Sequence, residues 1–520
     1  MDTITTLLRR RPVVAAALGS LAAAVAWQFF AATTFIGDDH VFLTFARHET
    51  HPLGAFVADK HGGEYYRPVP FLLWWLLARV GAGLPWPFAL LALALHAAAA
   101  WLVTRLLLAF DRPPSVARLS GALFFLSPAP REAAYWFAAS TDLVATTATL
   151  AALVSLRRGR PFLSLAPAAV ALLAKESAVV LPALALVTLR THTSARPRTS
   201  WRLAARAVAA HTAVAALYLA IRWRVLGGAR GGSGDPRAGW LARALQIVSG
   251  LVHIPTGHDL LPEWLAWSAG GSVIALALLV AIRRHRRASG DAAGGASTPL
   301  ALIAIGVAPL LLVDGWFVGA RYFYFPAVGV LWLVAELIAA APHAHRASIA
   351  STAALVIVAA LGLAQGELRR VDVAHYRQRV DAVNRAVLDG VRHGHRVFHV
   401  ESGGLKDLDL AVKLAPALTP VEPELLVLSD APASFVIVPP SLRARAAFLL
   451  ADPPLPPRGA YVFGARRVQG LARREDAPDL ADVVAALPAI RFIRLRAAGP
   501  GRVIWRDVTD EKLAALRGGD

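Results

Sequence analysis

The apolar residues of this chain fall into long runs separated by short arginine-bearing loops, and no other feature narrows the fold as far. The first run, residues 13–36, contains no charge. A bilayer core of about 30 Å needs about 20 apolar residues per helix, so this segment alone is long enough to cross. Composition agrees: 56% of the 520 residues are hydrophobic and 17% charged, with a mean hydropathy of +0.51. That is more apolar surface than one water-facing globule can cover. An α-helical polytopic membrane protein is therefore expected. Arg9, Arg10 and Arg11 resemble the flank of a signal peptide, but the run behind them is too long and shows no clear small-residue cleavage site. It is expected to remain as a first helix.

The formal charge of +19 raises nucleic acid as a partner, and its distribution argues against one. The arginines cluster in short loops: Arg105 with Arg112 and Arg118; Arg157, Arg158 and Arg160; 190–206; Arg283, Arg284, Arg286 and Arg287; and 343–346. Such clusters mark cytoplasmic faces, which leaves the alternating loops 35–66, 127–140, 226–264 and 314–321 outside. Segment 162–189 joins two basic clusters and carries Lys175 and Glu176 in its middle. A single crossing there would put the later clusters outside, whereas two short helices meeting at Lys175 and Glu176 keep the charge rule. Irregular backbone at membrane depth is tolerated where protein covers it. This gives roughly 11 helices by the length rule, with the amino terminus cytoplasmic and the carboxyl-terminal region extracytoplasmic. The chain has no cysteine, which excludes disulfides and thiolate chemistry.

From about residue 365 the apolar runs shrink to strand length, at 396–400, 425–428 and 435–438, and alternate with helix-like stretches at 380–391 and 442–450. A transmembrane catalytic domain over 1–364 and an extracytoplasmic α/β domain over 365–520 are expected. Residues 289–299 read as a flexible cytoplasmic linker. The carboxyl-terminal region shows no glycine-rich phosphate loop, and the chain no internal repeat.

The chemistry is expected in the first outer loop, 35–68, because ionisable groups massed beside hydrocarbon are costly unless they work there. Adjacent carboxylates, Asp38 and Asp39, follow the first run directly. Each raises the other's proton affinity, which suits a general base; the alternative is a solvated helix end with an aspartate cap. Tyr66-Arg67-Pro68 puts a guanidinium at the apparent re-entry into the membrane, suited to bidentate phosphate binding or to an interfacial anchor with its aromatic neighbours. Arg131 and Glu132, followed by Trp136 and Asp142, offer a second acid or a surface ion pair. Lys175 and Glu176 should either face a cavity or neutralise each other. Arg321 and Tyr322 close a later outer loop with another cation. His40, His48, His51 and His61 lack ligand spacing with a third group, so no metal site is read; no cofactor is called for, and a divalent cation stays open.

The order of these elements resembles the GT-C superfamily of membrane glycosyltransferases, in particular the protein O-mannosyltransferase-like branch that includes the transmembrane and tetratricopeptide-repeat proteins. That branch is matched by Asp38-Asp39, by Tyr66-Arg67-Pro68, and by His96 in the next helix. Its next turn is similar to Pro130-Arg131-Glu132-Ala133, with the glutamate here one place earlier, and the branch is matched again by Leu173-Ala174-Lys175-Glu176 running to Pro182 and by the segment from Arg321 and Tyr322 to Gly329. The likeness covers roughly 13–363. Ser140-Thr141 stands where relatives carry Gly-Arg, and no tetratricopeptide repeat follows.

The resemblance implies transfer of a sugar from a polyprenyl-phosphate carrier to a protein or glycan hydroxyl, with inversion, at the outer face of a bacterial-type inner membrane. Asp38 or Asp39 would be the base, with Asp39 slightly favoured. Lys175, Arg67 and Arg321 would hold the phosphate, and Tyr66, Glu132, Glu176, Tyr322 and His96 would complete substrate binding beside membrane lipid. A transporter, or a non-catalytic envelope assembly protein, is the rival reading.

Overall fold

The computed structural model describes the chain over 49–58, 65–81, 84–128, 131–191, 201–228, 240–257, 260–287, 294–312, 319–341 and 344–392. It also describes short pieces between 19 and 46, among them Asp39, and strands between 397 and 507 followed by residues 508 and 510. The helices are α1 (Pro68–Val80), α2 (Trp86–Ala109), α3 (Pro114–Leu126), α4 (Arg131–Tyr135), α5 (Ser140–Arg157), α6 (Leu165–Ala174), α7 (Leu181–Arg190), α8 (Trp201–Leu226), α9 (Trp240–His253), α10 (Glu263–Arg287), α11 (Gly294–Val307), α12 (Pro326–Ala339) and α13 (Ala344–Arg392). Five described helical stretches are long and apolar enough to cross a membrane: Trp86–Ala109, Phe137–Arg157, Trp201–Leu226, Glu263–Val280 and His345–Val371. Five shorter apolar helices accompany them. Length sorts the two groups, since 13 residues rise only about 20 Å.

The helices pack as a bundle whose two ends are fixed by side-chain bonds. At one end the Arg157 guanidinium donates to the carbonyls of Ala109 and Thr191 at 3.0 and 2.9 Å, tying together the last turns of α2, α5 and α7. Arg112 pairs with Glu336 at 2.7 Å, adding α12 to the same end. Helix C-termini concentrate unpaired carbonyls, and arginine satisfies them. The core between the ends is closed by fully buried Trp332, Tyr324, Phe124, Phe323, Leu106 and Leu123.

Segment 162–189 forms two ten-residue helices, α6 and α7, separated by a 3-10 turn at Glu176–Val180. Lys175 at the break bonds Asp142 in the first turn of α5, while Thr188 and Thr191 bond Arg157 in its last turn. The pair therefore climbs from the arginine-rich end to the far end of α5 and returns, as the charge rule requires.

Helix α1 corrects the expected course of the chain. Its first turn lies beside Glu176 through Arg67, and in its last turn Arg79 donates to the carbonyls of Ala46 and Glu49 at 2.8 and 2.7 Å. Gly81 then sits so close to Pro87 that a Cβ there would collide with the ring. Both ends of α1 stay at the Lys175 end, so Pro68 opens a surface helix and the chain enters the bundle at Trp86. A 13-residue helix is too short to cross a bilayer alone.

Helix α13 runs without interruption through residues 364 and 365, where a domain boundary was expected. Gln28, which bonds Tyr135 at the Lys175 end, donates to the Leu363 carbonyl at 2.7 Å. The helix continues to Arg392, so its last turns project from that same end. Composition changes at 365, but the charged sequence beyond it still favours helix. Strands β1 (Val397–Glu401), β2 (Leu425–Asp430) and β3 (Ala433–Ile437) coincide with the three expected ones. They join β4 (Tyr461–Gly464), β5 (Arg467–Gly470), β6 (Ile490–Ala497) and β7 (Val503–Asp507) in a mixed sheet of order β5-β4-β3-β2-β1-β6-β7. β1 is parallel to both β2 and β6. The helix expected at 442–450 lies outside the described residues.

Candidate active site

Four separate segments converge at the Lys175 end. Lys175 has extended backbone, φ −158° and ψ 136°, between α6 and the 3-10 turn. Successive side chains on extended backbone diverge, so Lys175 and Glu176 find different partners. The Lys175 ammonium lies 2.5 Å from Asp142 Oδ1, with side chains only 6% and 9% exposed. It also stands 4.5 Å above the Tyr322 ring. Arg67 Nε and Nη2 donate to the two oxygens of Glu176 at 3.0 and 2.5 Å, a bidentate pair. The Arg67 guanidinium stacks 4.2 Å from the Tyr65 ring.

Arg321 is held by aromatic faces, 4.3 Å from the Trp136 ring and 4.7 Å from that of Tyr322. Beside the Lys175–Asp142 pair lies a small cleft of about 40 Å³, lined by Asp142, Thr146, Thr149, Lys175, Ser177 and Tyr322 and by apolar residues of α7, α11 and α12.

Asp39 reaches this end by a different route. Phe35 meets Phe88 edge-on at 5.2 Å and Trp74 packs on Phe88 at 4.5 Å, seating the loop against α1 and α2. The Asp39 side chain is fully buried, and its Oδ1 accepts the Ala138 amide at 2.5 Å. It thus satisfies an amide of the distant 3-10 turn at Phe137–Ala139 and is neither the solvated helix end nor the local cap raised as the alternative for this acid. Asp38 lies outside the described residues.

The other expected site residues separate. Tyr66 donates its hydroxyl to the Phe56 carbonyl at 2.8 Å and packs on Tyr218, outside the cleft lining. His96 is fully buried, with Nδ1 2.8 Å from the Tyr324 hydroxyl and Nε2 3.1 Å from the Phe125 carbonyl. It braces the segment that carries Arg321 and Tyr322 and does not line the cleft. Glu132 falls in α4, its side chain outside the described residues. Among the described residues no group of three or more His, Asp or Glu is placed to hold a metal.

Two members of the site were legible only in part. Asp142 stood in the sequence as one option for a second acid, and the signal was an ionisable residue opening an otherwise apolar helix. Trp136 carried no mark beyond its type.

No protein-family model matches this sequence, and no curated protein does. Four chains among the solved structures match. Two structures are of the Archaeoglobus fulgidus oligosaccharyltransferase, one tethered by a disulfide bond to an acceptor peptide containing the NVT sequon and one in the apo form. Each is 12% identical with a TM-score of 0.42 over 77% of this chain. The chain spans 62% of the length of the first and 63% of the second.

Proposed function

We propose that the chain is a GT-C-type glycosyltransferase that moves a sugar from a polyprenyl-phosphate carrier to an acceptor hydroxyl at the outer membrane face. The observation that carries this reading is the meeting of Arg67, Lys175 and Arg321 at one bundle end, beside a cleft and the loop that bears the acid pair. As the anomeric C–O bond breaks, its electrons pass to the leaving polyprenyl phosphate, which becomes a dianion, and preorganised cations stabilise the developing charge.

Lys175 has three donors and Arg67 five. Among the described residues Arg67 commits only Nε and Nη2, so Nη1 can reach a phosphate oxygen. The acceptor hydroxyl attacks the anomeric carbon from the opposite face, and its proton passes to a carboxylate of the loop. Because the Asp39 carboxylate is held by the Ala138 amide, Asp38 is the better base, and Asp39 fixes the loop that presents it.

The rival transport reading expects functional polar groups at the bilayer midplane. Lys175 is level with Asp142 in the first turn of α5, at a helix end, which favours surface chemistry. In a transfer assay with a polyprenyl-phosphate hexose, purified protein should form product, and Arg321→Gln should raise the donor KM by about 10- to 100-fold. Donor-independent behaviour of that variant would return Arg321 to an aromatic packing role.

The arginine-rich end is assigned to the cytoplasm. A periplasmic-type reporter fused after Asp520 is therefore expected to be active, and one at Gly294 inactive. The reverse pattern would invert the whole assignment.

A further inference from the structure

Helix α9 (Trp240–His253) lies in an outer loop and turns apolar residues outward. Its 14 residues rise only about 21 Å, too short to cross a bilayer. Both ends are tied at the Lys175 end of the bundle. Arg243 in the first turn donates to the Leu311 carbonyl at 3.2 Å, and just past the last turn the Ile254 carbonyl accepts the Ser127 hydroxyl at 2.9 Å. Between these ties Gly250 sits so close to the Phe323 ring that a Cβ there would overlap it. The face bearing Ile247 and Gly250 is buried.

Leu241, Leu245 and Val248 stand at i, i+4 and i+7, on one other face of α9. They are 57%, 57% and 47% exposed, more than Arg243, Gln246 or Ser249 of the same helix. A helix lying against water turns its polar face outward, so α9 is patterned for a different medium.

The neighbouring helix shows which medium that is. α10 supplies one of the long apolar stretches and leaves Trp264, Leu276, Leu279 and Ile282 exposed, the pattern of a span that faces lipid. The Val252 carbonyl of α9 lies against Gly270, where no Cβ would fit, and His253 meets the Trp267 ring edge-on at 6.4 Å. By helix rise Gly270 is about 10 Å along α10 from its start at Glu263. The last turn of α9 is therefore level with the hydrocarbon-facing part of α10, below Trp264, a residue type that gathers at the headgroup boundary.

We propose that α9 is an interfacial helix whose Leu241, Leu245 and Val248 stripe is sunk among the acyl chains of the outer leaflet. The partner is the lipid surface itself, continuous with the lipid-facing side of α10. Because the Arg321 turn packs on α9 through Phe323, the depth of this helix sets the depth of Arg321. The placement holds whether or not the chain transfers sugar.

The chain has no cysteine, so Leu241→Cys, Leu245→Cys and Val248→Cys each create a single site for a nitroxide label. All three positions are exposed, and any one of them reads the same face. Full-length protein is placed in nanodiscs of phosphatidylethanolamine and phosphatidylglycerol, where both membrane faces are open to solvent. Electron paramagnetic resonance then compares access of oxygen, which concentrates in hydrocarbon, with access of a water-soluble nickel chelate. Leu276→Cys on α10 serves as the lipid reference and Arg158→Cys in the α5–α6 loop as the water reference. Oxygen access should exceed nickel access several-fold at the α9 positions, as at Leu276. Nickel access at the level of Arg158 would put the stripe in water and overturn the proposal. Low access of both reagents would also overturn it, with spin–spin broadening identifying a second copy as the cover and its absence identifying another part of the chain.

Discussion

Asp38→Asn is expected to lower transfer by about 10²- to 10⁴-fold, the contribution of a positioned general base. The substitution keeps size and hydrogen-bonding capacity and removes basicity. Asp39→Asn should be milder, because an asparagine Oδ1 can still accept the Ala138 amide that Asp39 accepts at 2.5 Å. Asp39→Ala should do more harm than Asp39→Asn, since it strands a buried N–H; leaving such a donor unsatisfied costs about 1–3 kcal/mol. Turnover and melting temperature, measured on the same preparations, separate the two roles. A dead Asp39→Asn protein beside an active Asp38→Asn one would move the base to Asp39. Full activity in the double variant would end the acid-pair mechanism and bring the assembly-protein reading forward.

Asp142→Asn should destabilise the bundle by about 3–5 kcal/mol, the usual cost of removing one partner from a buried ion pair. The Lys175 side chain is only 6% exposed, so its charge would be left in a poorly solvated site with a neutral amide oxygen in place of its counter-charge. Replacing both partners, as Asp142→Leu with Lys175→Met, should recover most of that stability, because apolar groups of similar size tolerate such positions. The double variant should nevertheless transfer no sugar, having lost the phosphate contact. Unfolding midpoints in a fixed detergent check the first half, and donor binding checks the second. A double variant no more stable than Asp142→Asn would show that the intact pair contributes stability which apolar packing does not replace.

The membrane class and the break at Lys175 and Glu176 were readable because each depends on local pattern. Apolar run length and arginine position act through the bilayer itself, and a charged pair inside an apolar stretch forbids a continuous lipid-facing helix whatever surrounds it. The strands at 397–401, 425–430 and 433–437 showed the same way, through short runs bounded by turns. The strands at 461–464, 467–470, 490–497 and 503–507 did not, because their apolar runs are either only three residues long or interrupted by polar residues.

Partner choice was decided in three dimensions. Lys175 and Glu176 are adjacent and opposite in charge, yet extended backbone sends them apart, one to Asp142 and the other to Arg67, residues 33 and 109 positions away. The same holds for α1, an apolar helix by sequence, which stays at the surface because Arg79 is bound by the carbonyls of Ala46 and Glu49. Tyr66 and His96 belong to conspicuous motifs and serve packing. Sequence therefore determined where the chain meets the membrane and which residue types gather at one face. Only the tertiary structure decided which charges neutralise each other and which side chains line the cleft, because electrostatic pairing and burial follow distance through space and not along the chain.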